Sequence, residues 1–461
     1  MSARRISMIA CLVLAGCGDE QRAEFRPDFG DLVEDYLFFE LSMGMHDSNH
    51  VDAYYGPAEI RHAAEEAELT LEQIGEQAAQ LATQVSSWPG NRSDRLQLAR
   101  IKGLNQRLSA LTTRIAMKQG KTFSFDEEAE RLFGVAAPDH DAAHFDAILR
   151  DIDELIPGSG ALSARVNAFQ DQFIIPADRL SAVFGAAIAE CRRRTLEHIA
   201  LPEQESFSLE YVTDKPWSGY NWYQGGARSL IQINTDLPIF INRAVDLGCH
   251  EGYPGHHTFN VLLEKNLVDG KGWMEFTLYP LFSAAALIAE GSGNYGIDLA
   301  FPGDDRLQFE RRRLFPLAGL DPDGADRYYE LLELLEQLSY AGNEAARDYL
   351  NGTIGRDEAV QWLVDYTLAS PERARQRVDF FDTYRSYVIN YNLGKDLVRD
   401  YVERSAELPD QRWKRFTRML STPMLPSDLK QEPAMQATSP EDERSLRQAN
   451  LRKSSPQARS P

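Results

Sequence analysis

Residues 250–257 read His-Glu-Gly-Tyr-Pro-Gly-His-His, and no straight helix can run through them. Pro254 has no N–H to give to the carbonyl of residue 250, and its ring crowds that carbonyl. Gly255 tolerates backbone conformations that other residues avoid. The same eight residues hold three of the chain's nine histidines, with Glu251 directly after the first. Such a cluster points to a metal. In the usual zinc-hydrolase signature, HExxH, two histidines four apart project from one helix face. His250 and His256 are six apart, about 9 Å of rise on a regular helix and well off one face. His250 and His257 nearly share a face but sit about 10.5 Å apart along the axis. A two-residue excursion at Pro254–Gly255 can bring His256 back toward His250. The spacing alone leaves both His256 and His257 open as the second ligand.

A third ligand is expected downstream. Glu290 ends the apolar run LFSAAALIAE, where an acid is costly unless it is partnered. A metal ion is such a partner. Two histidines and one glutamate leave a fourth position open, which is the catalytic rather than the structural zinc pattern. Glu251 would then take a proton from a metal-bound water whose pKa the ion lowers to about 7. Asn294 and Asp298, one and two turns beyond Glu290, are candidate acceptors for a ligand N–H.

The rest of the chain frames this cluster. It has 461 residues, 43% hydrophobic and 26% charged, a globular composition long enough for two to three domains or one enzyme with lobes. The formal charge of −21 argues against nucleic acid as a partner, since neutralising phosphates takes clustered cations. Arg4 and Arg5 precede an apolar run from Ile6 to Ala15, too short to span a bilayer and suited to a signal peptide. Leu14-Ala15-Gly16-Cys17 resembles a bacterial lipobox, which marks Cys17 for lipidation. Acylation at Cys17 would anchor the protein stably, and Gly18 favours the periplasmic side of a Gram-negative outer membrane. Cys191 and Cys249 remain, and an oxidising compartment would let them pair or leave two buried thiols.

Helical patterning dominates. Apolar residues recur at helical spacing over 57–85, and over 93–118 behind a Ser93-Asp94 cap. Further amphipathic stretches fall near 140–156, 160–175 and 177–200, and helix resumes from Pro238 to about Leu420. FSLEYVTD and the run Ser229 to Thr235, separated by a Gly-Gly break, alternate and favour strand. The fold class is therefore mainly α with a small antiparallel β-sheet. The domains read as 1–17 signal peptide with lipobox, 18–26 tether, 27–204 helical N-terminal lobe, 205–425 metal-binding catalytic lobe, and 430–461 disordered tail.

HEGYPGHH, the Glu290-Gly291 pair and the lipobox together resemble a bacterial family of secreted or lipid-anchored proteins marked by HExxPGH, itself similar to the gluzincin metallopeptidases. The resemblance spans roughly residues 30 to 425, with its strong motifs between about 225 and 300. It implies a gluzincin-like architecture with a helical N-terminal lobe, zinc on His250, His256 and Glu290, and Glu251 as general base. It also implies a sheet whose edge strand pairs with a peptide, a role that Ser229 to Thr235 fits. Arg228, Gln232 and Asn234 are the candidate substrate-binding residues there, although a structural ion pair is the commoner role for an arginine such as Arg228. In YVINYNLGK, Tyr391 matches a family tyrosine that can donate to an oxyanion, or simply pack the core. Two departures stand out: Glu-Gly-Trp-Ala reads Glu290-Gly291-Ser292-Gly293, and Pro-Gly-Gln reads Arg385-Ser386-Tyr387.

The expected function is a lipid-anchored periplasmic zinc metallohydrolase acting on peptides, with membrane contact through the anchor alone. The alternative is a non-catalytic lipoprotein that binds peptides or envelope partners in the same cleft. Two further pairs have metal-like spacing, His46 with His50 and His140 with His144. Each has Asp beside its first histidine, and that shorter arm reaches a bound water less easily, so capping or exposure is the expected role.

Overall fold

The computed structural model describes residues 28–91, 93–406 and 408–430. The signal peptide, Cys17, the tether and the tail beyond Lys430 lie outside the described residues. Helices dominate, and no described helix is long and apolar enough to cross a membrane.

The N-terminal half is a run of helices set by their caps. Asp94 accepts from the amides of Leu96 and Gln97, both at 3.0 Å, and so starts Arg95–Lys118 as the Ser93-Asp94 pair leads one to expect. The 57–85 stretch is two helices rather than one, Ala58–Ala67 and Leu71–Ser86. Thr70 and Gln73 form a reciprocal capping box that restarts the chain. Leu37, Ile74, Leu108 and Ile115 close a first core. A second core joins the two halves, packing Phe125, Leu132 and Phe133 against Leu287, Phe381 and Val388. A third gathers Val183, Phe184, Ile231, Val245, Tyr295 and Phe416.

Among the described residues five strands interrupt the helices: β1 (Val51–Tyr54), β2 (Ser206–Val212), β3 (Gly219–Gly225), β4 (Arg228–Asn234) and β5 (Leu278–Pro280). β1 and β5 form an antiparallel pair that the helical reading passed over. The other three form one sheet in the order β2-β4-β3. The mainly helical class with a small antiparallel sheet holds, through the β1–β5 and β3–β4 pairings, and two details differ from expectation. β4 runs antiparallel to β3 but parallel to β2, so the sheet is mixed. β4 is also its central strand, so residues 229–235 present no free edge. Alternation along a strand reports which face is buried, and says nothing about which strands flank it.

Three helices position the site. The glutamate helix, Ala284–Ala300, is buried except at Ala285, Asn294 and Asp298. The tyrosine helix, Ile389–Glu403, crosses it backbone to backbone. A Cβ built on Gly291 would lie 2.3 Å from the carbonyl carbon and oxygen of Gly394. The arginine helix, Pro371–Tyr384, precedes the tyrosine helix and is joined to it by a tight turn over Arg385–Val388. Cys191, on helix Leu180–Leu196, is disulfide-bonded to Cys249 with a Cα–Cα separation of 5.5 Å, which resolves the open question of pairing.

Candidate metal centre

The histidine segment starts as an ordinary helix, Asn242–Leu247, and then widens into a π turn over Gly248–Gly252. The Tyr253–Pro254 peptide is cis, and helix resumes at His256. A π turn adds a residue to each hydrogen-bonded loop and shifts the side-chain phase. With the proline step it closes the six-residue gap, and the His250 and His256 rings lie 4.6 Å apart, centre to centre and nearly perpendicular.

Glu290 joins them. His250 Nε2 is 3.0 Å from one carboxylate oxygen and His256 Nε2 is 3.7 Å from the other. One ligand atom from each residue lies within 4.8 Å of the other two, and among the described residues no other group of three or more His, Cys, Asp or Glu does this. Two imidazoles and a carboxylate within that radius can hold a divalent ion with a position left open. The histidines outweigh the effect of burial on Glu290. Burial raises its carboxyl, but His256 and His250 hold it well below the usual carboxylate range.

Surrounding groups orient two of the three candidate ligands. His250 Nδ1 donates to Asn294 Oδ1 at 2.9 Å, which leaves Nε2 free to face the centre. Asn294 in turn donates to the Tyr391 carbonyl at 2.9 Å. Asp298 does not share this role, because it pairs with Lys395 at 2.8 Å. The Ser292-Gly293 departure leaves room for the His250 ring, from which a Cβ on Gly293 would be 2.8 Å away.

The sequence reading missed Tyr387, whose hydroxyl donates to Glu290 Oε1 at 2.6 Å. Its turn is tied down by buried Glu128, which accepts from Arg385 Nε at 2.7 Å, from the Ser386 amide at 3.1 Å and from the Ser386 hydroxyl at 2.7 Å. The Arg385-Ser386-Tyr387 turn thus holds the hydroxyl that meets Glu290. Tyr387 lies one helical step before Tyr391, a spacing that was visible in the sequence. Tyr387→Phe is expected to weaken divalent-ion binding about 10-fold, the low end for loss of such a supporting bond. Competition against a chelator measures this, and unchanged affinity would make the hydrogen bond incidental.

Glu251, Asp52, Tyr220, Arg377 and Tyr391 line the same cleft, whose volume is about 750 Å³. Glu251 is buried, and its carboxylate has no hydrogen-bond partner among the described residues. Burial pushes it up, His256 opposes and Glu290 adds, and the result is about 7. The Tyr391 ring centre lies 6.5 Å from that of His250. Asp52, on β1, accepts from the Tyr220 hydroxyl. Burial, with Glu290 and Glu251 close by, raises its carboxyl well above the usual range.

His257 belongs to a different network. Its Nε2 is 3.0 Å from Glu205 and its Nδ1 is 2.8 Å from the Ser229 hydroxyl. Tyr253 and Arg192 also donate to Glu205, at 2.5 and 2.6 Å. Burial raises Glu205, but His257, Tyr253 and Arg192 outweigh it and bring the carboxyl down to about 2. Ser229, His257 and Glu205 have the order of a nucleophile triad, but His257 is 0% exposed and none of the three lines the cleft. The network locks the residue next to His256.

The three candidate substrate residues lie off the cleft. Gln232 bridges Trp222 and Glu210 across the sheet. Asn234 donates to the carbonyls of Lys215 and Trp217 and pins a loop. Arg228 is exposed at the start of β4. The other histidine pairs have local roles. His46 meets the Leu69 carbonyl, His50 is buried against Glu40, and His140 stacks on His144.

No family model matches the chain, and no curated protein matches it. Among solved structures, a candidate lipoprotein from Colwellia psychrerythraea aligns over 80% of this chain and 64% of its own, with 14% identity and a TM-score of 0.48. This chain therefore spans less than two thirds of that protein. A candidate lipoprotein of unknown function from Shewanella oneidensis aligns over 87% and 83%, with 12% identity and a TM-score of 0.35. The M32 carboxypeptidase from Deinococcus radiodurans R1 aligns over 91% and 97%, with 13% identity and a TM-score of 0.39. At these values no residue role and no activity passes from those proteins to this one.

Proposed function

We propose that this protein is a zinc-dependent hydrolase of peptide bonds, anchored to the periplasmic face of a bacterial envelope membrane through Cys17. One observation carries the catalytic part: two imidazoles and a carboxylate converge within 4.8 Å, with an unpartnered glutamate in the same cleft. The donor set suits zinc at a catalytic site, where His250, His256 and Glu290 would be the ligands. Zinc bound there supplies Lewis acidity toward a carbonyl and a water acidified to a pKa near 7.

The chain's own residues supply the rest. Glu251 takes the proton of the attacking water and returns it to the leaving amine. Tyr391 offers its hydroxyl to the oxyanion that develops on the scissile carbonyl. Asn294 and Tyr387 hold two of the ligands in place. The strand available to an extended substrate is β3, whose outer edge is unpaired in its sheet and whose residues Gly219, Tyr220 and Asn221 line the cleft.

Metal analysis tests this reading. Protein purified without chelator is expected to carry about one zinc per chain. Removing the zinc should abolish peptide hydrolysis, and adding it back should restore it. Absence of stoichiometric zinc would instead favour a peptide-binding lipoprotein that uses the cleft without chemistry.

A further inference from the structure

Arg243, Arg306, Arg373, Arg377 and Lys395 line the cleft, and four of these five cations are answered. Arg243 lies 3.2 Å from Asp246, and Arg306 lies 2.6 Å from Asp246 and 2.8 Å from Glu310. Arg373 donates to the Pro238 carbonyl at 2.6 Å, and Lys395 pairs with Asp298. Arg377 has no hydrogen bond and no ion pair among the described residues. In a chain with 70 acidic and 49 basic residues, that is not for want of carboxylates.

Its neighbours are aromatic. The guanidinium carbon lies 5.0 Å from the Phe380 ring centre, 5.7 Å from Phe381 and 5.9 Å from Tyr391. Rings favour a cation over their faces but leave its five N–H donors in the plane unsatisfied. Burial pulls Arg377 below the usual arginine value, which reports the same missing counter-charge. Arg377 is half-buried and lines the cleft, so its unanswered donors are open to an arriving anion. Tyr391 connects it to the centre, since the same ring faces Arg377 on one side and lies 6.5 Å from the His250 ring.

We propose that Arg377 anchors the free C-terminal carboxylate of the substrate, so that the enzyme removes residues from the C-terminal end of short peptides. This rests on the peptidase reading above and names its substrate class. A planar guanidinium takes a carboxylate through two parallel hydrogen bonds, which fixes the orientation of the last residue as well as its charge. The cleft volume is that of a site for a small ligand. In the reaction the C–N bond breaks and the water oxygen joins the acyl carbon. One water proton passes through Glu251 to the departing nitrogen. The other is released as the new carboxyl ionises and completes the ammonium.

The test uses zinc-loaded full-length protein and three acetylated peptides: acetyl-Leu-Leu-Phe, its C-terminal amide, and acetyl-Leu-Leu-Glu amide. The wild type is expected to prefer the free acid over the Phe amide by about 100-fold in kcat/KM, as loss of a desolvated charge pair implies. In Arg377→Gln that ratio should collapse toward one, and Arg377→Lys should keep part of it. A melting curve of each variant checks that it is folded. Binding of the same peptides to Glu251→Gln, with and without the Arg377→Gln change, separates this proposal from the peptidase reading. Turnover with no free-acid preference overturns the anchor and leaves the peptidase. No turnover, but an Arg377-dependent binding preference for the free acid, upholds the anchor and sinks the peptidase. A preference that follows the Glu side chain of the third peptide overturns the C-terminal assignment, and binding with no preference overturns the anchor outright.

Discussion

Glu251→Gln is expected to lower kcat/KM for peptide hydrolysis by about 10³-fold while zinc content stays at one per chain. The two halves of this expectation come from different observations. Glutamine has the shape of glutamate but cannot accept the proton that the attacking water must lose, and the carboxylate at 251 has no structural hydrogen bond that the change would break. The proposed ligand set is His250, His256 and Glu290, and Glu251 is not part of it, so the metal should stay. Zinc content is read by elemental analysis and turnover by peptide assay on the same preparation. A variant that keeps both its zinc and its rate would end the assignment of Glu251 as base. A variant that loses zinc would place Glu251 among the ligands.

What the sequence disclosed about this centre follows how locally each part is encoded. His250, Glu251 and His256 lie within seven residues, and the side-chain chemistry identifies them once Pro254 is read as a break. Glu290 was legible because an acid in an apolar run is costly without a partner, and Asn294 because it lies one turn beyond Glu290. Spacing left His256 and His257 open and the resemblance chose His256; the chain's own reason is a π turn and a proline step, which set which imidazole faces inward. Tyr387, Asp52 and Arg377 were missed because they come from a turn, a short strand and a helix more than 85 residues away from the histidines. Only packing brings them together. The misplaced edge strand has the same origin. Alternation in Ser229 to Thr235 showed a half-buried strand, but its flanking by β2 and β3 is a long-range fact. Gln232 and Asn234 lie on that strand, and neither they nor Arg228 line the cleft.

Gly255→Ala is expected to abolish stoichiometric zinc binding and to lower the melting temperature by at least several degrees. The alanine methyl would lie 1.8 Å from the His250 carbonyl oxygen and 2.5 Å from the Cys249 oxygen. Both are backbone atoms, so no rotamer change relieves the overlap, and one strand of the loop has to move. Neither side is free to do so. Cys249 is bonded to Cys191, and His250 is held at its Nδ1 by Asn294. On the far side the Gly255 amide donates to the Cys249 carbonyl at 3.0 Å, and Phe259 donates to the Gly255 carbonyl at 2.9 Å. Opening the loop breaks the first bond and carries His256 away from Glu290. A backbone overlap of this kind belongs with the rare single changes that cost about 4 kcal/mol or more. Gly103→Ala is the control. It lies inside helix Arg95–Lys118 with nothing within 4 Å of the added carbon, and it should hold zinc normally and melt slightly higher, by up to about 1 kcal/mol of added stability. If Gly255→Ala binds zinc like the control, the two imidazoles do not depend on this turn to meet, and the geometry assigned to the centre is wrong.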